Sequence, residues 1–191
     1  MKLHIPTGEA TIGPFFPGAY VDIGANDLTK VRGKIAKGLP IEISGRVVQE
    51  DGSPLQNVIL EIWQADANGI FQHAADPQSR DADPNFLGWG RAATGADGRY
   101  LFRTIKPGGY PVPDGTRRAP HINMLILASG LMRQLHTVMF FEGEAANETD
   151  VVLASIEPAA LRKALICGAV APDKYRFDIC LRGDGETPFF E

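Results

Sequence analysis

From Pro40 the chain alternates. Ile41, Ile43, Gly45 and Val47 take one parity, and Glu42, Ser44, Arg46 and Val48 take the other. Successive side chains on a strand point to opposite faces, so this parity predicts a half-buried strand. Asp51-Gly52-Ser53-Pro54 supplies a turn after it. Residues 58–65, Val-Ile-Leu-Glu-Ile-Trp-Gln-Ala, are rich in β-branched and aromatic side chains and predict a second strand. A short strand is expected at 90–94, and the Asp97-Gly98 pair then turns the chain into another at 99–104. Further strands are expected at 121–128, 136–141 and 175–181. One short late helix is expected from Ser155 as its cap through Cys167, with Pro158 in the first turn, where a missing donor costs little. Many short strands with turn signals and a single helix predict an all-β fold, a β-sandwich.

Two stretches break the pattern. Residues 1–38 are rich in Gly and Pro, most densely at Gly13-Pro14-Phe15-Phe16-Pro17-Gly18, and read as an extended N-terminal arm that lies against something, ahead of a sandwich domain at 39–191. Residues 66–87 are polar and without period. A loop of about twenty residues is uncommon in a compact domain and is often functional.

At 191 residues the chain can bury a core without staples. The net charge of -4 and pI near 5.6 offer no basic surface to a phosphate backbone, which argues against nucleic acid. No run approaches the ~20 apolar residues of a membrane span, and residues 1–7 carry no signal-peptide core, so the reading is cytoplasmic. Cys167 and Cys180 then read as buried thiols rather than a disulfide.

The candidate chemistry centres on His121-Ile122-Asn123, eleven residues after Tyr110. A His-x-His pair on a strand aims two imidazoles at one metal, and a nearby tyrosine can add a phenolate, but here the second position is an amide, a poor ligand for a transition metal. Of the other histidines and tyrosines, Tyr100 and Tyr175 read as core. His73 lies in a polar loop, His4 and Tyr20 lie in the arm, and His136 begins a strand without a ligand-like neighbour. Arg117 and Arg118 could fork onto a carboxylate or could be a solvated pair. Asp81 and Asp83 read as turn residues. Neither cysteine has a sequence-local His, and no nucleophile elbow or phosphate loop occurs. From spacing alone the chain is a β-sandwich with an incomplete site.

Several segments together carry a resemblance: Thr11-Ile12-Gly13-Pro14-Phe15, Glu61-Ile62-Trp63-Gln64-Ala65-Asp66-Ala67-Asn68-Gly69, Asp83-Pro84-Asn85-Phe86, Phe102-Arg103-Thr104-Ile105-Lys106-Pro107-Gly108, Ala119-Pro120-His121-Ile122-Asn123 and Gly183-Asp184-Gly185-Glu186-Thr187-Pro188-Phe189-Phe190. They resemble the intradiol ring-cleaving dioxygenases, in particular the alpha subunits of members built from alpha and beta chains. In such members the beta subunit holds Fe(III) with two tyrosines and a His-x-His pair. By position Tyr110 and His121 match two of these ligands, the second histidine falls on Asn123, and the other tyrosine falls near Gln78. An active-site arginine of the family matches Arg118. The resemblance therefore implies a vestigial site at Tyr110, Arg118, His121 and Asn123, with no metal and no catalytic residue on this chain. It also implies a beta partner carrying the Fe(III), and protocatechuate and dioxygen as substrates.

Thr11, Gly13 and Pro14 would line the substrate site at the subunit interface. A Gly followed by Pro gives a constrained bend with little side chain, which suits close approach to a ligand. Alpha chains often carry an arginine just before the glycine matching Gly130, where this chain has Ser129; Arg133 is a candidate replacement. A competing resemblance, to transthyretin-like and carboxypeptidase regulatory-like binding modules, rests on Ile43-Ser44-Gly45-Arg46-Val47, on residues 96–102 and on Lys106-Pro107-Gly108-Gly109-Tyr110. Such modules lack the Trp63-Gln64-Ala65-Asp66 and His121-Ile122-Asn123 segments in this combination.

Overall fold

The structure is a computed structural model that describes residue 16 and residues 25–113 and 115–190. The period-2 alternation at Pro40 becomes β3 (Pro40–Val48), whose burial alternates along its length. Before it, β1 (Lys30–Val31) and β2 (Lys34–Ile35) form a small hairpin in the arm. Next come β4 (Ile59–Trp63), β5 (Trp89–Ala93), β6 (Arg99–Ile105), β7 (Tyr110–Pro111), β8 (Arg117–Arg118), β9 (His121–Leu127) and β10 (Leu135–Phe141).

One leaf is built on β3, which pairs antiparallel with β6 and parallel with β12 (Lys174–Arg176) and β13 (Ile179–Cys180). The other leaf is antiparallel, in the order β5-β4-β9-β10. β11 (Ile166–Ala171) joins them, running parallel to the end of β10 and antiparallel to β12. The side chains that alternation turns inward meet between the leaves: Ile41, Ile43 and Val47, Tyr100 and Phe102, Leu60 and Ile62, Ile122, Met124 and Ile126, Met139 and Phe141. Each large apolar side chain removed from water there contributes about 1.5–3 kcal/mol. This is the expected sandwich.

The expected helix at 155–167 is corrected. The one α-helix among the described residues is α1 (Val151–Ser155), and Asp150 caps it, accepting from the N–H groups of Val152 and Leu153 at 2.9 and 3.3 Å. Ser155 ends this helix, and its hydroxyl donates back to the Val152 carbonyl. A 3-10 segment follows at Ala159–Leu165, and Cys167 lies in β11. Ile166-Cys167-Gly168-Ala169 has little intrinsic β signal; its strand form comes from ladders on both sides. α1 and the 3-10 segment cover the outer face of β10, where Ala119, Val138, Phe140, Leu153 and Leu165 make a second small core.

The expected last strand is interrupted as well. Phe177 turns into the core, its carbonyl accepts the Tyr100 hydroxyl, and the Asp178 carboxylate takes the Arg46 N–H that a ladder carbonyl would otherwise take. A Cβ on Gly45 would stand 1.9 Å from the Phe177 carbonyl oxygen, which explains a glycine at an inward position of β3. Both cysteines are free, but only Cys167 is buried and Cys180 is half-buried; burial pushes the Cys167 thiol up to about 12. No helix among the described residues is long and apolar enough to cross a membrane.

Of the arm, residues 25–37 lie on the chain's own sandwich. Leu28 is buried, and the backbone of Asn26 and Leu28 bonds to Arg103 on β6. The Asp83 carboxylate accepts the Lys37 N–H at 2.6 Å, so Asp83 is both a turn residue and an anchor for the arm.

Candidate functional site

The long loop at 66–87 is ordered by one buried carboxylate. Asp66 accepts the N–H groups of Asn68, Ile70 and Asp83 at 2.8, 3.0 and 2.9 Å, so it ties both ends of the loop together. Gly69, at φ +82°, lets the loop close against the next turn, since a Cβ there would come 2.5 Å from the Gly109 carbonyl. Beyond that turn, β7 and β8 pair Tyr110 with Arg118, which sets the phenol and the guanidinium beside the first residue of β9.

That residue is His121, only 3% exposed. Its Nδ1 lies 2.7 Å from the Ala119 carbonyl, which can only accept, so Nδ1 carries the proton and Nε2 is left as the acceptor. The Tyr110 hydroxyl lies 3.3 Å from Nε2 and donates to it. Burial, reinforced by the nearby Arg118 charge and opposed by the Ala119 bond, brings the imidazole pKa down to about 4. Burial pushes the Tyr110 hydroxyl up, against the pull of Arg118. The pair is thus a neutral imidazole and a neutral phenol.

Asp150 holds this corner in place. It is fully buried, and one of its oxygens accepts the Arg118 Nε at 2.9 Å and the Ala119 N–H at 2.8 Å, while the other caps α1. Burial alone would raise its pKa, but the Arg118 and backbone hydrogen bonds outweigh it and hold the carboxyl below the ordinary range. Sequence reasoning passed over Asp150, although an Asp directly before the apolar Val151-Val152-Leu153 is an N-cap signal. Arg118 therefore pairs with a carboxylate through its Nε, without the two-nitrogen fork, and its Nη2 is buried without a hydrogen-bond partner. Arg117 is exposed and donates to the Gly109 carbonyl.

Asn123 shares the outward face of β9 with His121, and its amide donates to the Trp63 carbonyl at 3.3 Å. Gln78 is exposed on the long loop and lines, with Trp63, Phe71, His73 and Tyr110, a cleft of about 450 Å³. A second cleft, of about 320 Å³, lies over Trp63, Trp89, Asn123 and His136. Tyr100 and Tyr175 pack in the core as expected, and Ser129 and Arg133 are exposed between β9 and β10. Thr11, Gly13, Pro14, His4 and Tyr20 lie outside the described residues.

A ferric ion does not fit the residues present. Tyr110 and His121 offer only two ligand atoms, and the position that would complete a His-x-His pair is the Asn123 amide, a poor ligand for a transition metal. Among the described residues no group of three or more His, Cys, Asp or Glu could hold a metal.

Comparison with known proteins bears on this arrangement. A family profile described as Dioxygenase matches residues 12–183. A protocatechuate 3,4-dioxygenase alpha chain from Pseudomonas putida is 39% identical over all of this chain and 98% of its own. A protocatechuate 3,4-dioxygenase beta chain from Burkholderia cepacia is 35% identical over 87% of this chain and 76% of its own. Among solved structures, the dioxygenase domain of a carbohydrate-binding fusion protein from Streptomyces sp. SirexAA-E superposes with a TM-score of 0.61 at 30% identity, over 93% of this chain and 98% of that one.

Proposed function

The chain belongs to the intradiol dioxygenase family, and on that premise we propose that it is the alpha subunit of a protocatechuate 3,4-dioxygenase, the subunit without the metal. Its partner is the beta subunit, which carries the Fe(III), and the assembled enzyme cleaves protocatechuate with dioxygen to 3-carboxy-cis,cis-muconate in the cytoplasm. Identity alone separates the two chain types weakly, at 39% against 35%. The observation that carries the assignment is the Asn123 amide at the second position of the His-x-His pattern, because it leaves Tyr110 and His121 as two ligands where a ferric site needs more.

The chain's contribution is then structural and at the interface. Thr11, Gly13 and Pro14 line the substrate site of the complex, and the vestigial corner of Tyr110, Arg118, His121 and Asn123 serves as a packed element of the subunit. The reading as a transthyretin-like binding module has no observation in its favour.

The test is iron content and protocatechuate turnover of this chain purified alone, beside the same chain co-expressed with a beta partner. Iron and activity in the co-expressed sample alone are the expected result. Stoichiometric iron and ring cleavage by the lone chain would overturn the assignment.

A further inference from the structure

We propose that the outer face of the β3 leaf carries a binding site for one small tetrahedral oxyanion, a phosphate or sulfate group, held by Arg46, Arg99 and Arg176. The site lies on the other leaf of the sandwich from His121 and Asn123, and it does not depend on the subunit assignment.

The register sets like charges side by side. Arg46 on β3 and Arg99 on β6 are direct cross-strand partners, and Arg176 on β12 pairs with Ser44, one outward position along β3 from Arg46. Burial alternates along β3 and β6 and places both arginines on the outward parity. Like charges directly opposite each other weaken an antiparallel pair, so this placement favours a group that neutralises them.

The carboxylates nearby do not cancel the charge. Asp178 takes Arg176 Nε and Nη2 at 2.9 and 2.7 Å with one oxygen and the Arg46 N–H at 2.9 Å with the other, so both of its oxygens are committed. Asp97 pairs with Arg99 at 3.1 Å. Arg46 Nε donates to the Asp97 carbonyl at 3.0 Å, a neutral partner, and no carboxylate pairs with its guanidinium among the described residues. Three cations against two carboxylates leave one positive charge, in a chain whose net charge is -4.

Between these side chains lies a hollow of about 100 Å³, with Ser44 and Gly45 at its base. A water takes up about 30 Å³ of the liquid, so the hollow has room for a few waters or one ion of that size. The Ser44 hydroxyl stands 3.4 Å from the Tyr175 carbonyl, a long contact that leaves it able to turn to a ligand. Guanidinium groups bind oxyanions through paired N–H donors. A carboxylate has its two oxygens in one plane and meets one such pair, whereas a tetrahedral anion offers oxygens to donors arriving from three strands.

The experiment titrates the full chain, labelled with 15N, with inorganic phosphate in Tris chloride at constant ionic strength. It follows the backbone N–H signals of Arg46 and Arg99, with His121 as a distant control. The expected result is a saturable shift of the two arginine signals with a Kd of about 10 mM or tighter, and none at His121. Arg46→Gln, an outward substitution, is expected to weaken phosphate about fivefold or more, and Lys174→Gln on the same face to change it less than about twofold. Sulfate should bind within about threefold of phosphate, and acetate about fivefold more weakly or worse. Methyl phosphate binding as well as phosphate would identify the ligand as a phosphoryl group on a larger molecule, and weaker binding would identify the free ion; either satisfies the site.

Shifts that grow linearly to about 50 mM would overturn the proposal. So would equal binding of acetate, or equal losses in Arg46→Gln and Lys174→Gln, because each describes a diffuse cationic surface rather than a site. Should Arg46→Gln fail to fold, Arg99→Gln carries the same expectation at a side chain 73% exposed. Neither iron nor partner enters the measurement, so failure here leaves the subunit assignment standing, and failure of that assignment leaves this binding measurable.

Discussion

Asp150 and Arg118 meet at 2.9 Å with their side chains 0% and 13% exposed, and the same carboxylate starts α1. One side chain thereby couples the helix, the hairpin strand β8 and the entry to β9. Removing one partner of a buried ion pair costs more than the pair contributes, because the remaining charge is left in a low-dielectric site. Asp150→Ala is expected to lower stability by about 3–5 kcal/mol, read from urea denaturation, and Arg118→Met, which leaves the buried Asp150 carboxylate without its cation, is expected to cost a comparable amount.

Acid should expose His121. Its folded pKa of about 4 lies below the unfolded value near 6.5, so the unfolded chain takes up a proton first. The stability this represents is complete above pH 6.5 and is lost as pH falls toward 4, amounting to about 3 kcal/mol by the linkage relation. His121→Phe should abolish that part of the slope in denaturation midpoints measured from pH 7 to pH 4. An unchanged slope would show that the imidazole is not held neutral by the fold. Asp150, whose pKa is also lowered, adds a loss that begins as pH falls into the ordinary carboxylate range and continues below it.

Tyr110→Phe removes a hydroxyl bonded to a neutral acceptor and, on the alpha-subunit proposal, nothing that holds iron. Turnover of the co-expressed complex should stay within about twofold, with a stability cost of about 1 kcal/mol from the unpaired His121 acceptor. A large loss of kcat in a complex that assembles and keeps its iron would give the vestigial corner a catalytic part.

Asp66→Ala should loosen the long loop, because three N–H groups lose their common acceptor. Limited proteolysis is expected to cut within residues 66–87 in the variant and to spare them in the parent, at a stability cost of about 2–4 kcal/mol.

Gly45→Ala tests the broken last strand. The added methyl would meet the Phe177 carbonyl at 1.9 Å, in a place where Tyr100 also bonds, and backbone cannot give way as a flexible side chain can. A destabilisation of about 3 kcal/mol or more, or loss of soluble protein, is the expected outcome of such overpacking.

Residue types at particular positions were legible without coordinates. The parity of β3, the Asp97-Gly98 turn into β6 and the β-branched run of β4 each state locally which side faces the core, so the sandwich could be read from them. The amide at Asn123 was equally legible, since it is a matter of chemical identity. Tertiary structure decided what depends on distant partners. Residues 166–171 are a strand because β10 and β12 flank them, and residues 175–181 are broken because Phe177 and Asp178 answer to Tyr100 and Arg46. The Tyr110–His121 bond, the grip of Asp150 on Arg118 and the aromatic cleft over the long loop likewise join segments far apart in sequence. Periodicity records only which residues are buried, and it carries no information about which neighbour buries them.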